Sequence, residues 1–211
     1  MLAFEKQVLG FYVTSNPLSH CAEKINLYST VNSSELDQVD ENKSIFIGGM
    51  ITRTRYNVIK NGKNAGAKMA VFVLEDLQGQ VEVVVFPRTL KQCAGLIEND
   101  KVVFVKGRVD RKREKPNVLA SELIGIDDIG DKIATRVRID IDSNIVTPEA
   151  VAQIKSICLH HQGKSPVYVA VHTDKGKVFA SAANSLAVNP DVDFCKKIRH
   201  IVGDKNVQLT R

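Results

Sequence analysis

Five short runs of strand-forming residues, with one helical stretch between the third and the fourth, occupy the middle of this 211-residue chain and constrain its fold most. The runs are rich in β-branched and aromatic residues, and turn-forming Gly, Asn and Asp separate them. Pro87 predicts the start of the helix. The strands are predicted at residues 45–59, 69–74, 80–86, 102–109 and 118–123, and the apolar positions of the helix are Leu90, Cys93, Ala94 and Ile97.

The order of these elements predicts a specific barrel. Strand–strand–strand–helix–strand–strand is the order of the OB-fold, a five-stranded barrel that binds oligonucleotides across strands 2 and 3, between the loops joining strands 1–2 and 4–5. Gly48 and Gly49 predict a kink in the first strand, because glycine within a strand commonly marks a bulge or a tight barrel corner. The predicted fold class is an OB-fold barrel followed by a small α+β domain, with a short helical N-terminal segment.

Basic residues are concentrated in the barrel segment. Residues 43–126 carry 15 basic and 8 acidic side chains, a net charge of +7, whereas residues 1–42 carry two basic and six acidic ones, a net charge of −4. The cations cluster at the two predicted binding loops, where they would neutralise phosphates, and Tyr56 would stack on a base. Four phenylalanines in apolar runs are predicted to fill the barrel core: Phe46, Phe72, Phe86 and Phe104. The predicted nucleic-acid-binding residues are Arg53, Arg55, Tyr56, Lys60, Lys63, Lys68, Lys106, Arg108, Arg111, Lys112 and Arg113.

The flanking segments complete a three-part organisation. Residues 1–42 are predicted to be a helical lead-in with helices in 3–15 and 17–28 and an acidic connector, and residues 43–126 are the barrel. Residues 131–211 are predicted to be an α+β domain with a strand at 133–141, a hairpin at 167–182 and a closing strand at 207–209. Its two helices are predicted to begin at Thr147-Pro148 and at Asn189-Pro190-Asp191 and to bury Val151, Ile154, Ile157, Cys158, Phe194, Ile198 and Ile201.

The sequence does not predict a catalytic or metal centre. Four cysteines lie far apart without a C-x-x-C pair, which argues against structural zinc and against a disulfide framework. The histidines are scattered, and the acid pairs Glu75-Asp76 and Asp127-Asp128 are typical of a turn and a linker. No apolar run is long enough for a membrane span. We expect a cytoplasmic, non-enzymatic segment that needs no cofactor.

Several segments resemble the bacterial DNA polymerase III alpha subunit family. Residues 5–18 (EKQVLGFYVTSNPL) are similar to a motif of that family, in which Gly-His is more usual than Ser15-Asn16. Residues 48–51, 68–79, 81–87 and 102–109 resemble the family's OB-fold domain. The last third of the chain, with residues 163, 166–169, 188–190 and 202–203, resembles its C-terminal domain.

The resemblance implies a non-catalytic C-terminal part of a replicative polymerase. In that family the catalytic domains would lie upstream of Met1, the OB-fold domain contacts single-stranded template DNA, and the terminal domain binds the tau subunit of the clamp loader. The family's clamp-binding peptide is not found in these residues. The expected partners are therefore single-stranded DNA, the rest of the alpha subunit and tau.

Two other readings stay open at this point. The barrel could serve as a protein-interaction scaffold that does not bind nucleic acid. It could also bind RNA, because anticodon-binding barrels of class II aminoacyl-tRNA synthetases share a glycine-kinked first strand and an acid-glycine turn.

Overall fold

The computed structural model describes residues 17–41, 43–62, 64–112, 115–133, 136–142, 147–174 and 176–210, except for the side chains of Pro17 and Asp131. These residues form two compact units, one ending at Ile129 and the other starting at Gly130. No helix among them is long and apolar enough to cross a membrane. The first helix predicted within residues 3–15 lies outside the described residues.

The first unit contains the predicted five-stranded barrel, closed in the order β1–β2–β3–β5–β4. The OB-fold prediction is therefore confirmed, and each strand differs from its predicted bounds by only one or two residues. The helix α2, Pro87–Cys93, lies between β3 and β4 as predicted. The strands are β1 (Ser44–Val58), β2 (Lys68–Glu75), β3 (Gln80–Val85), β4 (Val102–Asp110) and β5 (Asn117–Gly125).

The long strand β1 closes the barrel by pairing with two neighbours. Its first half pairs with β4, from Ser44 opposite Arg108 to Met50 opposite Val102. Its second half pairs with β2, as far as Val58 opposite Lys68. The predicted kink at Gly48-Gly49 is not where the pairing becomes irregular. The register shifts between Thr52 and Arg55 instead.

The two glycines of β1 allow neighbouring parts of the chain to approach the strand closely. A Cβ on Gly49 would lie 2.5 Å from the carbonyl oxygen of Glu75, and one on Gly48 would lie 2.6 Å from the ring of Phe104. A glycine inside a strand often marks such an approach. Any larger side chain here would push β1 away from its neighbours.

Aromatic side chains are buried both inside the barrel and on part of its outer surface. Phe72 is fully buried inside the barrel with alternating apolar residues of the five strands. Phe46 and Phe104 are also buried, but their rings stack on each other at 5.3 Å on the outer surface, where Tyr28 of helix α1 (Ala22–Tyr28) meets Phe104 edge-on. Phe86 was predicted to be core, and that prediction is wrong: it follows the last residue of β3 and is 41% exposed.

The acidic connector folds against the barrel through one buried carboxylate. Asp76 accepts hydrogen bonds from the backbone N–H groups of Gln78 and Gly79, at 2.9 and 2.8 Å. It also accepts bonds from the backbone N–H and the hydroxyl of Ser33, both at 2.6 Å. Ser33 begins a 3₁₀ helix (Ser33–Gln38) that Asn32 caps. The turn role predicted for Asp76 is confirmed, and the same side chain also holds the connector.

The second unit is the predicted α+β arrangement, with a four-stranded sheet in the order β10–β6–β8–β9. Both predicted helix starts are confirmed: Thr147 accepts from the N–H of Ala150 at 3.2 Å, and Asp191 accepts from the N–H of Phe194 at 2.7 Å. The remaining strands are β6 (Arg136–Asp142), β7 (Gln162–Ser165), β8 (Val167–Thr173), β9 (Gly176–Ser181) and β10 (Val207–Thr210); the helices are α3 (Ile129–Lys132), α4 (Pro148–His160) and α5 (Val192–Val202).

Some details of this unit differ from the predictions. Val151 was predicted to be buried on α4 but is half-exposed, because the helix buries only the side that carries Ile154 and Cys158. Ala94, after α2, is likewise exposed. The short elements α3 and β7 carry no periodic apolar pattern and were not predicted.

Three of the four cysteines are buried, and their thiols are poor nucleophiles. Burial raises the pKa values of Cys93 and Cys158, and it raises the pKa of Cys195 to about 11. The reactive form of cysteine is the thiolate, so these three side chains are inert packing groups near neutral pH.

We expect Gly49→Ala to lower the free energy of unfolding of the barrel by about 1–3 kcal/mol, because the added methyl group would meet the backbone of Glu75. Gly95→Ala is the matched control, since nothing lies within 4 Å of a Cβ built there. Urea denaturation followed by circular dichroism measures both variants. Equal stability of the two would contradict the close-approach role of Gly49.

Candidate nucleic-acid interface

Two arginines cross the outer face of strands β1, β2 and β3. Arg55 lies opposite Val71 on β2, which lies opposite Val84 on β3, and directly opposed residues share one face of a sheet. The guanidinium of Arg55 forms an ion pair with Glu82 of β3 at 2.5 Å. Arg53 donates to the side-chain oxygen of Gln80, also on β3, at 2.6 Å. Both guanidinium groups therefore extend past β2 to β3.

The irregularity in β1 sets the direction of these arginines. Arg53 has a φ of 49°, in the left-handed region that non-glycine residues rarely adopt. It lies at the register shift between Thr52 and Arg55, where β1 has one residue more than β2. An extra residue of this kind is a β-bulge, which changes the direction of the side chains around it and is common beside binding sites.

Tyr56 does not lie with the arginines. It is opposite Ala70, whose side chain points into the barrel, so Tyr56 leaves β1 on the other side from Arg55. Its ring is 54% exposed, and its hydroxyl donates to the carbonyl oxygen of Ile97 at 3.4 Å. The backbone N–H and the hydroxyl of Thr54, on the same side, both contact the side-chain oxygen of Asn99. The predicted stacking residue thus lies near the segment that follows α2.

Phe86 is the exposed aromatic on the side of the arginines, and sequence reasoning missed it as a site residue. Along β3, Val83 and Val85 point into the barrel, so Glu82, Val84 and Phe86 point outward by alternation. The two-residue period from Glu82 to Phe86 was the sequence signal that could have placed this side chain outside.

Arg111 contributes to the fold of the β4–β5 loop. Its guanidinium donates to the carbonyl oxygens of Leu36 at 3.2 Å and Asp37 at 2.7 Å, and to that of Val39. These carbonyls lie at the end of the connector's 3₁₀ helix, where the last backbone acceptors are not all satisfied within the helix. Lys112, the next residue, is exposed to solvent.

The other predicted cations surround the barrel. Arg108 lies opposite Leu119, which lies opposite Val84, so one row of outward side chains runs from Arg55 through three apolar residues to Arg108. Lys60 lies after β1, Lys68 begins β2 and Lys106 lies on β4, all exposed. Lys63 and Arg113 lie outside the described residues. The structure thus brings Arg53, Arg55 and Phe86 onto one face and leaves the other cations around its margins.

No group of three potential metal-ligating side chains (His, Cys, Asp or Glu) comes together among the described residues. The acids on the arginine face are Glu82, which pairs with Arg55, and Glu75 of β2, which lies opposite Gln80. Gln80, which accepts from Arg53, in turn donates to Glu75 at 2.9 Å. The face therefore consists of cations held by polar partners beside an exposed ring, an arrangement suited to binding an anionic chain that carries flat bases.

Comparison with known proteins agrees with this geometry. Residues 45–124 match the tRNA anti-codon family, which is described as an OB-fold nucleic acid binding domain. The chain is similar to the DNA polymerase III subunit alpha of Bacillus subtilis (27% identity, 99% of this chain, 18% of the relative), of Buchnera aphidicola (28%, 97% and 18%) and of Aquifex aeolicus (29%, 86% and 15%). It spans less than a fifth of the length of these relatives. The barrel is therefore an OB-fold that matches a family of nucleic acid binding domains, in a chain that is similar over nearly its whole length to part of the DNA polymerase III alpha subunit.

Proposed function

We propose that this chain is a non-catalytic part of a replicative DNA polymerase alpha subunit, that its barrel binds the single-stranded template, and that its second unit binds the tau subunit of the clamp loader. The observation that carries the DNA-binding part is the placement of Arg53, Arg55 and Phe86 on one outer face of β1–β3. The homology to DNA polymerase III alpha subunits supports DNA as the ligand.

The two arginines are proposed to bind successive phosphates. Their side chains lie along the face that OB-folds use for oligonucleotides. Arginine forms bidentate, charge-assisted hydrogen bonds with phosphate, so each guanidinium can exchange its present partner, Gln80 or Glu82, for a phosphate oxygen. Lys60, Lys68 and Lys112 extend the positive field beyond this face, and Lys63, Lys106, Arg108 and Arg113 are proposed to do the same.

RNA binding is a second candidate function. The family that matches residues 45–124 is named for tRNA anti-codon binding, and stacking faces accept bases of either nucleic acid. Only a group that contacts the 2′-hydroxyl distinguishes the two. Anisotropy of labelled single-stranded DNA, duplex DNA and RNA of equal sequence decides between the candidates. Tightest binding of single-stranded DNA supports the proposal, tighter RNA binding favours the alternative, and no binding at low salt leaves the barrel as a scaffold.

Replacing both arginines, Arg53→Ala with Arg55→Ala, is expected to weaken single-stranded DNA binding for all sequences alike. Each lost phosphate contact lowers the slope of log affinity against log salt by about 0.7, so the double variant should lose about 1.4. Lys155→Glu, an exposed cation on α4 in the second unit, is the control for net charge. Fluorescence anisotropy across a salt series measures the slopes. An unchanged slope in the double variant would remove the arginines from the interface.

Phe86→Ala is expected to lower the affinity for single-stranded DNA by about tenfold, the magnitude typical of losing one stacked base. Tyr56→Ala is the matched comparison, because its ring leaves β1 on the other side and should change affinity by less than about twofold. The chain has no tryptophan, so Phe86→Trp also provides a fluorescence signal specific to this position. If Tyr56→Ala is the more damaging change, the DNA path follows the segment after α2 instead.

The tau-binding part rests on the homology and on a groove between α4 and α5. The groove has a volume of about 490 Å³ and a mostly apolar surface. Ile157 and Ile201 supply apolar side chains, and Lys196, Lys197 and His200 supply basic ones. Apolar grooves between helices commonly take an amphipathic helix of a partner protein.

Adding acids to this groove, Gln153→Glu with Ser156→Glu, is expected to reduce capture of the chain by immobilised tau at least about tenfold, because a desolvated charge is costly in an apolar interface. Lys155→Glu, whose side chain does not line the groove, should capture normally. DNA affinity should be the same in all three proteins. Full capture by the double variant would place the tau site elsewhere on the chain.

A further inference from the structure

One face of the sheet in the second unit is open to solvent. Along β6 and β10 the other face is apolar and buried: Val137, Ile139 and Val207 are almost completely inaccessible, and α5 packs against these two strands with Phe194 and Ile198 buried. The residues between these apolar positions point to the opposite side of the sheet. The side chains on that open face belong neither to the proposed DNA site on the barrel nor to the proposed tau site.

Two aromatic rings stand on this open face. Tyr168 on β8 is 36% exposed and Phe179 on β9 is 65% exposed. Tyr168 lies opposite Ser181 and Phe179 lies opposite Ala170, so both residues are on one face as diagonal neighbours, a relation in which the two positions are typically about 7–8 Å apart. A phenylalanine this exposed on a sheet loses the benefit of burial, and flat rings at such spacing can each take one base.

A network of charged groups lies beside the rings. The guanidinium of Arg138 is 5.7 Å from the centre of the Phe179 ring, and it donates to the carboxylate of Asp140 at 2.7 Å. His172 contacts the same carboxylate at 2.9 Å. Burial raises the pKa of Asp140, but the hydrogen bonds from Arg138 and His172 and the nearby positive charge together outweigh burial and hold the pKa below its usual value. Arg138 is thereby fixed next to Phe179 while a third of its side chain stays exposed.

Cations also flank the rings at both ends. Arg136, at the start of β6, and Lys177, near the start of β9, are exposed. Lys177 lies opposite His172 on the same face as the aromatic rings, and Thr210 lies opposite Arg136 at the other end of the face. The acids of this face are Asp140, which is buried in the network, and Asp142 at the end of β6.

We propose that this open face, with Tyr168 and Phe179 as its stacking residues, is a second binding site for single-stranded nucleic acid. Bases stack on the two rings, and phosphates lie near Arg136, Arg138 and Lys177. The composition favours this ligand over a protein. The core of a protein interface is a contiguous apolar patch, whereas this face carries Ser181, Gln208, Thr210 and charged groups around its two rings. A four-stranded sheet that presents aromatic residues on its open face is also a recurrent platform for single-stranded nucleic acid.

A pair of single-tryptophan variants of the whole chain tests this site. Phe179→Trp places the chain's one tryptophan on the open face, and Val178→Trp places it at the adjacent, 57% exposed position on the opposite face. Both are titrated with single-stranded oligothymidylate. We expect quenching of the Phe179→Trp signal by at least half at saturation and less than about a tenth of that effect for Val178→Trp.

The barrel reporter Phe86→Trp separates this inference from the proposed function. Quenching of Phe86→Trp without quenching of Phe179→Trp would overturn the second site and leave the barrel proposal intact. Equal quenching at positions 178 and 179 would also overturn it, because the signal would then be unspecific. In the background Arg53→Ala with Arg55→Ala, Phe179→Ala should lower the remaining affinity for oligothymidylate about tenfold. Unchanged affinity in that background would assign the face to a protein instead. The same conclusion would follow if Phe179→Ala lost capture of tau and the oligonucleotide did not quench the Phe179→Trp signal.

Discussion

Closure of the barrel by a single strand is the constraint on which the first unit depends. β1 has to pair with β4 along its first half and with β2 along its second half, so it must bend around the barrel within fifteen residues. Gly49 permits this because its missing side chain lets the strand approach the backbone of Glu75. The extra residue at Arg53 then turns the second half of the strand and places the arginines above β2 and β3.

Most of the fold could be predicted because it rests on local patterns. Alternating apolar residues identified all five barrel strands, and the capping residues Thr147 and Asp191 identified both helix starts in the second unit. The contacts that order the connector could not be predicted. Asp76 is 43 residues from Ser33, and Arg111 is 75 residues from Leu36, and no periodicity links positions so far apart.

The charged residues of the candidate site could be predicted from the sequence, but the directions of its side chains were harder to predict. Arg53 and Arg55 lie where OB-fold chemistry requires cations, although they belong to β1 and not to a loop. Tyr56 changed role because the shift in register before Arg55 decides which side of β1 a residue takes, and no sequence signal located that shift. Phe86 is different, because the alternation along β3 was visible in the sequence and places its side chain outside. Arg111 shows the remaining ambiguity: a guanidinium suits backbone carbonyls as well as phosphates.

The ion pair between Arg55 and Glu82 has a consequence for how long a strand stays bound. A phosphate that reaches Arg55 has to take the place of a carboxylate, and the carboxylate remains tethered nearby to return when the phosphate leaves. At Arg55 the contact is thus an exchange between two anions, so the nucleic-acid backbone gains little there by staying at one register. Under the proposed function, a strand held in this way would move past the barrel one nucleotide at a time without a large barrier at Arg55, as a template must while it is being copied.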